Sequence, residues 1–195
     1  MPDPFFLYFY LKRSTMSTSI FKTFLNFTRN IKTTGAIFET SARVENEICS
    51  KIGPHSKLVI EYGTGYGNLT AKILERLPKD GKLIAFEVNE DFVAAVKAKF
   101  NDPRLTVVKH SAVELPAYID QPIQNIVSSI PFTLIPKEEG DAIIQQSHDH
   151  MADGGYFSQV LYSKFHLKRF KKHFSKCEVK VVPNIPIEHV YHCLK

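Results

Sequence analysis

Two acidic residues and a run of glycines carry the clearest chemistry in this chain. The stretch Leu58-Val59-Ile60-Glu61-Tyr62-Gly63-Thr64-Gly65-Tyr66-Gly67 leads an apolar run straight into Gly-x-Gly-x-Gly. Glycine is required where a chain turns sharply or where backbone must touch a ligand. Twenty residues beyond Gly67, Glu87 closes the next apolar run. A carboxylate there can accept both hydroxyls of an adenosine ribose. Strand, glycine loop, helix, strand and acid together point to a pocket for an adenosine-bearing cofactor. A nicotinamide dinucleotide favours Gly-x-Gly-x-x-Gly, with a helix N-terminus aimed at a pyrophosphate. The loop here closes one residue sooner and has Glu61 two residues before Gly63. An acid in that place suits the sulfonium and ammonium of S-adenosylmethionine better than a diphosphate.

The elements that must hold these groups follow from the hydrophobic pattern. Residues 58–60, 83–86, 105–108, 123–127 and 156–161 are short apolar runs bounded by glycine, proline or polar residues, as buried strands are. Between them, residues 68–77 and 89–100 have helical spacing, the latter with Asn89 as N-cap, Glu90 and Asp91 in its first turn and Phe92, Val93, Val96 and Phe100 on one face. Pro136 suits the start of a helix running to about Met151, with Gly154-Gly155 ending it. Strands alternating with helices predict a mostly parallel sheet covered on both faces. Residues 178–182 and 189–194 follow one another without a helix, separated by Pro183-Asn184-Ile185-Pro186, and read as an antiparallel pair at the sheet edge.

The bounds are broad. A chain of 195 residues with 44% hydrophobic content builds one domain with a real core. No stretch reaches the roughly 20 apolar residues of a membrane-spanning helix. Residues 5–11 have neither the charge nor the cleavage site of a secretory signal. Cys49, Cys177 and Cys193 are odd in number and widely spaced, which argues against a disulfide framework or zinc site, and for a reducing, cytoplasmic setting without metal. A net charge of +5 suggests an anionic partner, nucleic acid or an acidic membrane surface.

Glu61-x-Gly63-x-Gly65-x-Gly67 resembles the first motif of the class I S-adenosylmethionine-dependent methyltransferases, and Glu87 resembles their second-strand acid. His110-Ser111-Ala112 stands where that family often has a Gly-Asp-Ala-like turn against adenine, with Ser111 in place of Asp. The resemblance covers roughly residues 36–195. It implies a Rossmann-like α/β fold with a seven-stranded, mostly parallel sheet and an antiparallel C-terminal hairpin strand. It also implies S-adenosylmethionine held by Glu61, Gly63, Thr64, Gly65, Gly67, Glu87, Val88, Ser111, Ala112 and Ser128.

The run Val127-Ser128-Ser129-Ile130-Pro131-Phe132 stands where amino-methylating members carry Asn/Asp-Pro-Pro-Tyr/Phe or Asn-Leu-Pro-Tyr/Phe, so Ser129, Pro131 and Phe132 are the expected catalytic residues. Ser129 removes the strong acceptor that a planar base amine needs. The motif is similar to that of bacterial phospholipid N-methyltransferases. So are Arg29-Asn30-x-x-x-x-Gly35-Ala36 and Asn184-Ile185-Pro186. The ribosomal RNA adenine dimethyltransferases share an Ile/Leu-Pro pattern but carry an added C-terminal helical domain, for which this chain has no room. The expected acceptor is therefore a phospholipid headgroup amine, phosphatidylethanolamine toward phosphatidylcholine. RNA adenine or a small amine is the alternative.

Residues 1–32 are expected to form a separate basic segment, with Ile20, Phe21, Phe24, Leu25, Phe27 and Ile31 on one helix face and Lys22, Arg29 and Lys32 adding charge. Such a helix either lies in an anionic membrane interface or packs on the domain of residues 33–195 as a lid. Met1 and Met16 both stand as candidate starts. Residues 164–176 read as a second basic helix, a solvated face or a further contact with phosphate headgroups. The expectation is a monomer, peripheral on the inner face of the membrane. Two readings from other classes are a nicotinamide-dependent oxidoreductase and an inactive, cofactor-binding membrane protein.

Overall fold

The computed structural model describes residues 41–184 and 186–195. The expected N-terminal helix, the Arg29 to Ala36 approach and Ile185 lie outside them.

Apolar side chains at alternating positions bury the strands on both faces. In β1 (Leu58–Tyr62), Leu58, Ile60 and Tyr62 face one core and Val59 the other, and all five residues are buried. β1 pairs in parallel with β2 (Lys82–Phe86) on one side and β4 (Ile123–Ser128) on the other; β2 continues to β3 (Leu105–Val108) and β4 to β5 (Met151–Leu161). The tail supplies β6 (Lys176–Val182) and β7 (Glu188–Leu194), both antiparallel to their neighbours. The sheet order is β3-β2-β1-β4-β5-β7-β6. The expected seven-stranded sheet is present, but the tail pair is not simply appended: β7 inserts beside β5 and leaves β6 at the edge.

Helices α1 (Ala42–Ile48) and α2 (Asn68–Arg76) cover one face, with Val44, Ile48, Leu69, Ile73 and Leu74 packed on Val59, Val127 and Val190. Helix α3 (Glu90–Lys99) sets Val93 and Val96 on Ala85 and Val107, and starts at Asn89, whose Oδ1 accepts from the Asp91 amide at 2.9 Å. The opposite face is covered by a 3₁₀ segment (Ala112–Ala117) and α4 (Lys137–His150), through Leu115, Ile143 and Ile144. A buried polar bridge ties α1 to the sheet: His192 lies 2.8 Å from Ser158 Oγ through Nδ1 and 3.1 Å from Glu47 Oε1 through Nε2. Burial lowers the His192 pKa, which favours a neutral ring between the hydroxyl and the carboxylate.

Three expectations are corrected. The basic run at residues 164–176 is helical only over a short α5 (Leu167–Phe170). Its apolar residues Phe170 and Phe174 are core, so their spacing reflects packing rather than a long helix. Helix α4 ends at His150, and the glycines do not stop it. They sit inside β5, where the register slips from Ile123↔Met151 to Asn125↔Tyr156. Cys177 and Cys193 are opposite one another in the β6–β7 register and form a disulfide, whereas Cys49 is buried and free. Their separation of 16 residues along the chain conceals a cross-strand pairing that only the hairpin brings together.

Gly67, with φ 83°, is the hinge between the glycine loop and α2, and a Cβ there would stand 2.7 Å from Phe100 Cε2 and 3.3 Å from Val96 Cγ2. Gly67→Ala is expected to destabilise the fold by about 2 kcal/mol, from left-handed strain plus overlap. At Gly65, φ is 49° and the surrounding space is open, so Gly65→Ala is expected to lose about half as much. Thermal denaturation of the two variants checks the order.

Candidate active site

The expected site residues converge at the carboxyl ends of the parallel strands, where open α/β sheets bind ligands. Ladder hydrogen bonds continue past the strand ends and fix the loops. The Gly63 amide donates to Phe86 O at 2.8 Å, the Ser129 amide to Tyr62 O at 2.9 Å and the Glu87 amide to Val108 O at 3.1 Å. The loops after β1, β2 and β4 are thereby registered against one another.

Glu87 is buried and gathers four backbone amides. Oε2 accepts from Thr64 and Gly65 at 3.0 and 3.2 Å, and Oε1 accepts from Val88 and Asn89, both at 2.9 Å. An ionised carboxylate has about four lone-pair directions, so the set is filled. Burial nevertheless raises its pKa, opposed by those same amides. The consequence for ligand choice is direct. The loop amides that would cradle a pyrophosphate are already held by an anion, so the dinucleotide reading is disfavoured.

Glu61 faces α2 because it alternates with Ile60 and Tyr62 along β1. Its Oε2 accepts from Thr70 Oγ1 at 2.8 Å, while the buried Oε1 has no hydrogen-bond partner among the described residues. Desolvation pushes the Glu61 pKa up to about 8, against the lowering effect of Thr70, and Glu87 adds a further upward push. A buried carboxyl with a free oxygen beside a glycine loop fits the cationic amino-acid end of S-adenosylmethionine, whose charge would draw it into its ionised form. Thr70 was not singled out by sequence reasoning. A polar residue on the buried side of the following helix was the available signal.

The loop after β4 leans directly on the glycine loop. Ser129 Oγ donates to Gly63 O at 2.8 Å, and a Cβ on Gly63 would meet Ser129 Oγ and Ile130 Cγ2, each at 3.2 Å. Gln159 on β5 supports the same loop by donating Nε2 to Ile130 O at 3.0 Å. Gln159 Oε1 and the hydroxyl of its register partner Ser128 are both buried and lack hydrogen-bond partners among the described residues. Sequence reasoning missed Gln159, although an amide in a mostly apolar strand run is such a signal.

The remaining expected residues are placed as follows. Pro131 is partly buried at the turn, where its carbonyl accepts from the Leu134 amide at 2.8 Å. The Phe132 ring is directed into the core, edge-on to Phe170 at 5.6 Å and beneath the Arg169 guanidinium at 5.5 Å, so it anchors the loop from below. Thr64 and Ala112 are buried and Val88 is partly so. Ser111 caps the 3₁₀ segment by accepting from the Val113 amide, and burial pushes the Glu139 carboxyl of α4 above its ordinary range. His110 stands apart from these contacts, 3.0 Å from Glu114.

Known proteins share this fold. Residues 59–155 match the methyltransferase domain family, a span running from β1 through the glycine loop and the β4 loop into β5. The chain is 26% identical over 147 residues to an ornithine lipid N-methyltransferase of Singulisphaera acidiphila, covering 71% of this chain and 76% of the relative. A crystal structure of precorrin-6y C5,15-methyltransferase from Geobacter metallireducens superposes with a TM-score of 0.68 at 14% identity, over 82% of this chain and 93% of that one. A Streptococcus mutans methyltransferase structure holding S-adenosylhomocysteine superposes at 0.61 with 17% identity, over 77% and 95%. The sheet order and the matched domain agree: residues 59–155 carry a methyltransferase domain, and the fold is the Rossmann-like fold of S-adenosylmethionine-dependent methyltransferases.

Proposed function

We propose that this methyltransferase N-methylates the headgroup amine of a lipid. The observation that carries the reading is the Ser128-Ser129-Ile130-Pro131 loop, seated on the cofactor loop. Its Ser129 proton is committed to Gly63 O. No planar Asn or Asp side chain is present there to grip the amino group of a nucleobase. The ornithine lipid N-methyltransferase relative supports the same class.

Bound S-adenosylmethionine supplies an electrophilic methyl carbon on a sulfonium, and S-adenosylhomocysteine is the product. The chain contributes position and dryness. Glu61 and Glu87 would hold the two polar ends of the cofactor, with Glu87 exchanging some of its amide contacts for ribose hydroxyls. Ser129, Ile130 and Gln159 hold the acceptor loop against Gly63, and Phe132 locks that loop to the core. An alkyl ammonium with an ordinary pKa of about 10 must lose a proton before its lone pair attacks. An apolar pocket lowers that pKa by disfavouring the charged form, and exclusion of water favours displacement.

Three outcomes are expected. Methyl label from S-adenosylmethionine should enter the lipid fraction of mixed vesicles that contain phosphatidylethanolamine or ornithine lipid. It should not enter total RNA, and label in RNA alone would sink the lipid reading.

Cofactor binding near pH 7 should release close to one proton, as the cation ionises a Glu61 that is otherwise protonated below about 8. Calorimetry in buffers of different ionisation enthalpy measures it. The raised pKa also makes the unliganded fold lose stability as pH rises from about 4.5 to about 8, because over that window the folded state keeps a proton that the unfolded state has released. Glu61→Gln should flatten this dependence, abolish the proton release and weaken cofactor binding.

Gln159→Leu should raise the KM for the amine by about tenfold while cofactor affinity stays within about twofold, since it frees the acceptor loop and not the glycine loop. Steady-state kinetics with separate cofactor titrations checks the split.

A further inference from the structure

The loop that follows β5 exposes an unusual combination. Phe165 is 90% exposed and Tyr162 is 60% exposed. Ile187, in the turn before β7, is 56% exposed, and Leu134, in the β4 loop, is 39% exposed. These residues share one end of the sheet. Leu161 and His189 are register partners, so Tyr162 and Ile187 leave the same end of neighbouring strands. Tyr191 Oη donates to Ser163 O at 2.5 Å and holds the loop down. Arg169 donates to Lys137 O and Asp141 Oδ1, both at 2.6 Å, which joins the loop to the start of α4 just beyond Leu134. That end is also where the glycine loop and the Ser129 loop meet.

The charge is one-sided. Residues 162–176 contain Lys164, Lys168, Arg169, Lys171, Lys172 and Lys176 and no acidic residue. Lys164 and Lys168 flank Phe165 and are exposed, and neither has an ion-pair partner among the described residues. Exposed aromatic and aliphatic tips within a cationic surround fit an anionic bilayer interface, where rings enter the headgroup boundary and each nearby cation strengthens attachment by about fivefold. Four large apolar side chains left exposed at one end of the sheet, rather than Phe165 alone, mark an interaction surface.

We propose that the 162–168 loop, with Ile187 and Leu134 beside it, is a docking surface for an anionic lipid bilayer that sets the mouth of the active site against the membrane. The proposal deepens the lipid reading of the site and rests on it. It concerns residues other than the N-terminal segment, so it is tested in the full chain.

The chain contains no tryptophan, so Phe165→Trp makes a single emission reporter. Its emission should shift to the blue with phosphatidylglycerol-containing vesicles and not with phosphatidylcholine vesicles or total RNA. Phe165→Ser and the pair Lys164→Gln/Lys168→Gln should each lower co-sedimentation with phosphatidylglycerol vesicles at least fivefold, with cofactor affinity unchanged as the check on folding. Phe165→Ser should also lower methylation of vesicle lipid, while activity on detergent-dispersed lipid is retained. No blue shift, or variants that sediment like the wild type, overturns the docking surface, and so does an emission shift caused by RNA alone. Wild-type methylation of vesicle lipid with docking-independent variants would overturn this inference and leave the lipid substrate standing. Vesicle docking through Phe165 with no lipid methylated would support the surface and overturn the substrate.

Discussion

The Glu87 carboxylate is the contact on which the loops at the carboxyl ends of β1 and β2 depend. Four amides from two different loops converge on its two oxygens, so the glycine loop after β1 and the turn after β2 are held by one buried anion. A glycine-rich loop has much backbone entropy to lose on folding. Glu87 supplies what a side-chain-poor segment cannot, a fixed partner for amides that would otherwise face an apolar interior unsatisfied. The same contact also uses up the loop's amide donors. With those amides satisfied from within, an anionic ligand finds carboxylates in place of donors.

Glu61 is built on the opposite logic. It has one hydroxyl partner and one empty oxygen, which leaves it poorly solvated and holds its proton. Two carboxylates on adjacent strand ends thus differ in character because one receives four amides and the other a single hydroxyl. The β4 loop leans on Gly63, a contact that any Cβ at that glycine would crowd.

Much of this was legible in the sequence because short-range rules govern it. Apolar runs broken by glycine located the five parallel strands, Asn89 marked a helix start that the structure reproduces, and the spacing of the glycine loop and Glu87 anticipated their contact, Glu87 accepting from Thr64 and Gly65. What stayed hidden was set by pairings distant along the chain. Phe170 and Phe174 imitate a helix stripe but are core residues fixed by Phe132, Phe157 and Tyr191. Gly154 and Gly155 looked like a helix stop because nothing local signals a register slip against β4. The Cys177–Cys193 pair and the Ser158–His192–Glu47 bridge exist only because β7 lies between β5 and β6.

The placement of β6 has a colloidal consequence. It is one end strand of the sheet, and Lys176, Glu178 and Lys180 alternate along it with Cys177, Val179 and Val181. Lys180 and Glu178 reach back to Glu47 and Lys51, so the border carries charge of both signs. The other end strand, β3, is only four residues long. A second copy seeking to extend this sheet would meet charged groups on one flank and too short a template on the other. Such features oppose edge-to-edge aggregation, so the sheet can stay finite even where the protein is locally concentrated.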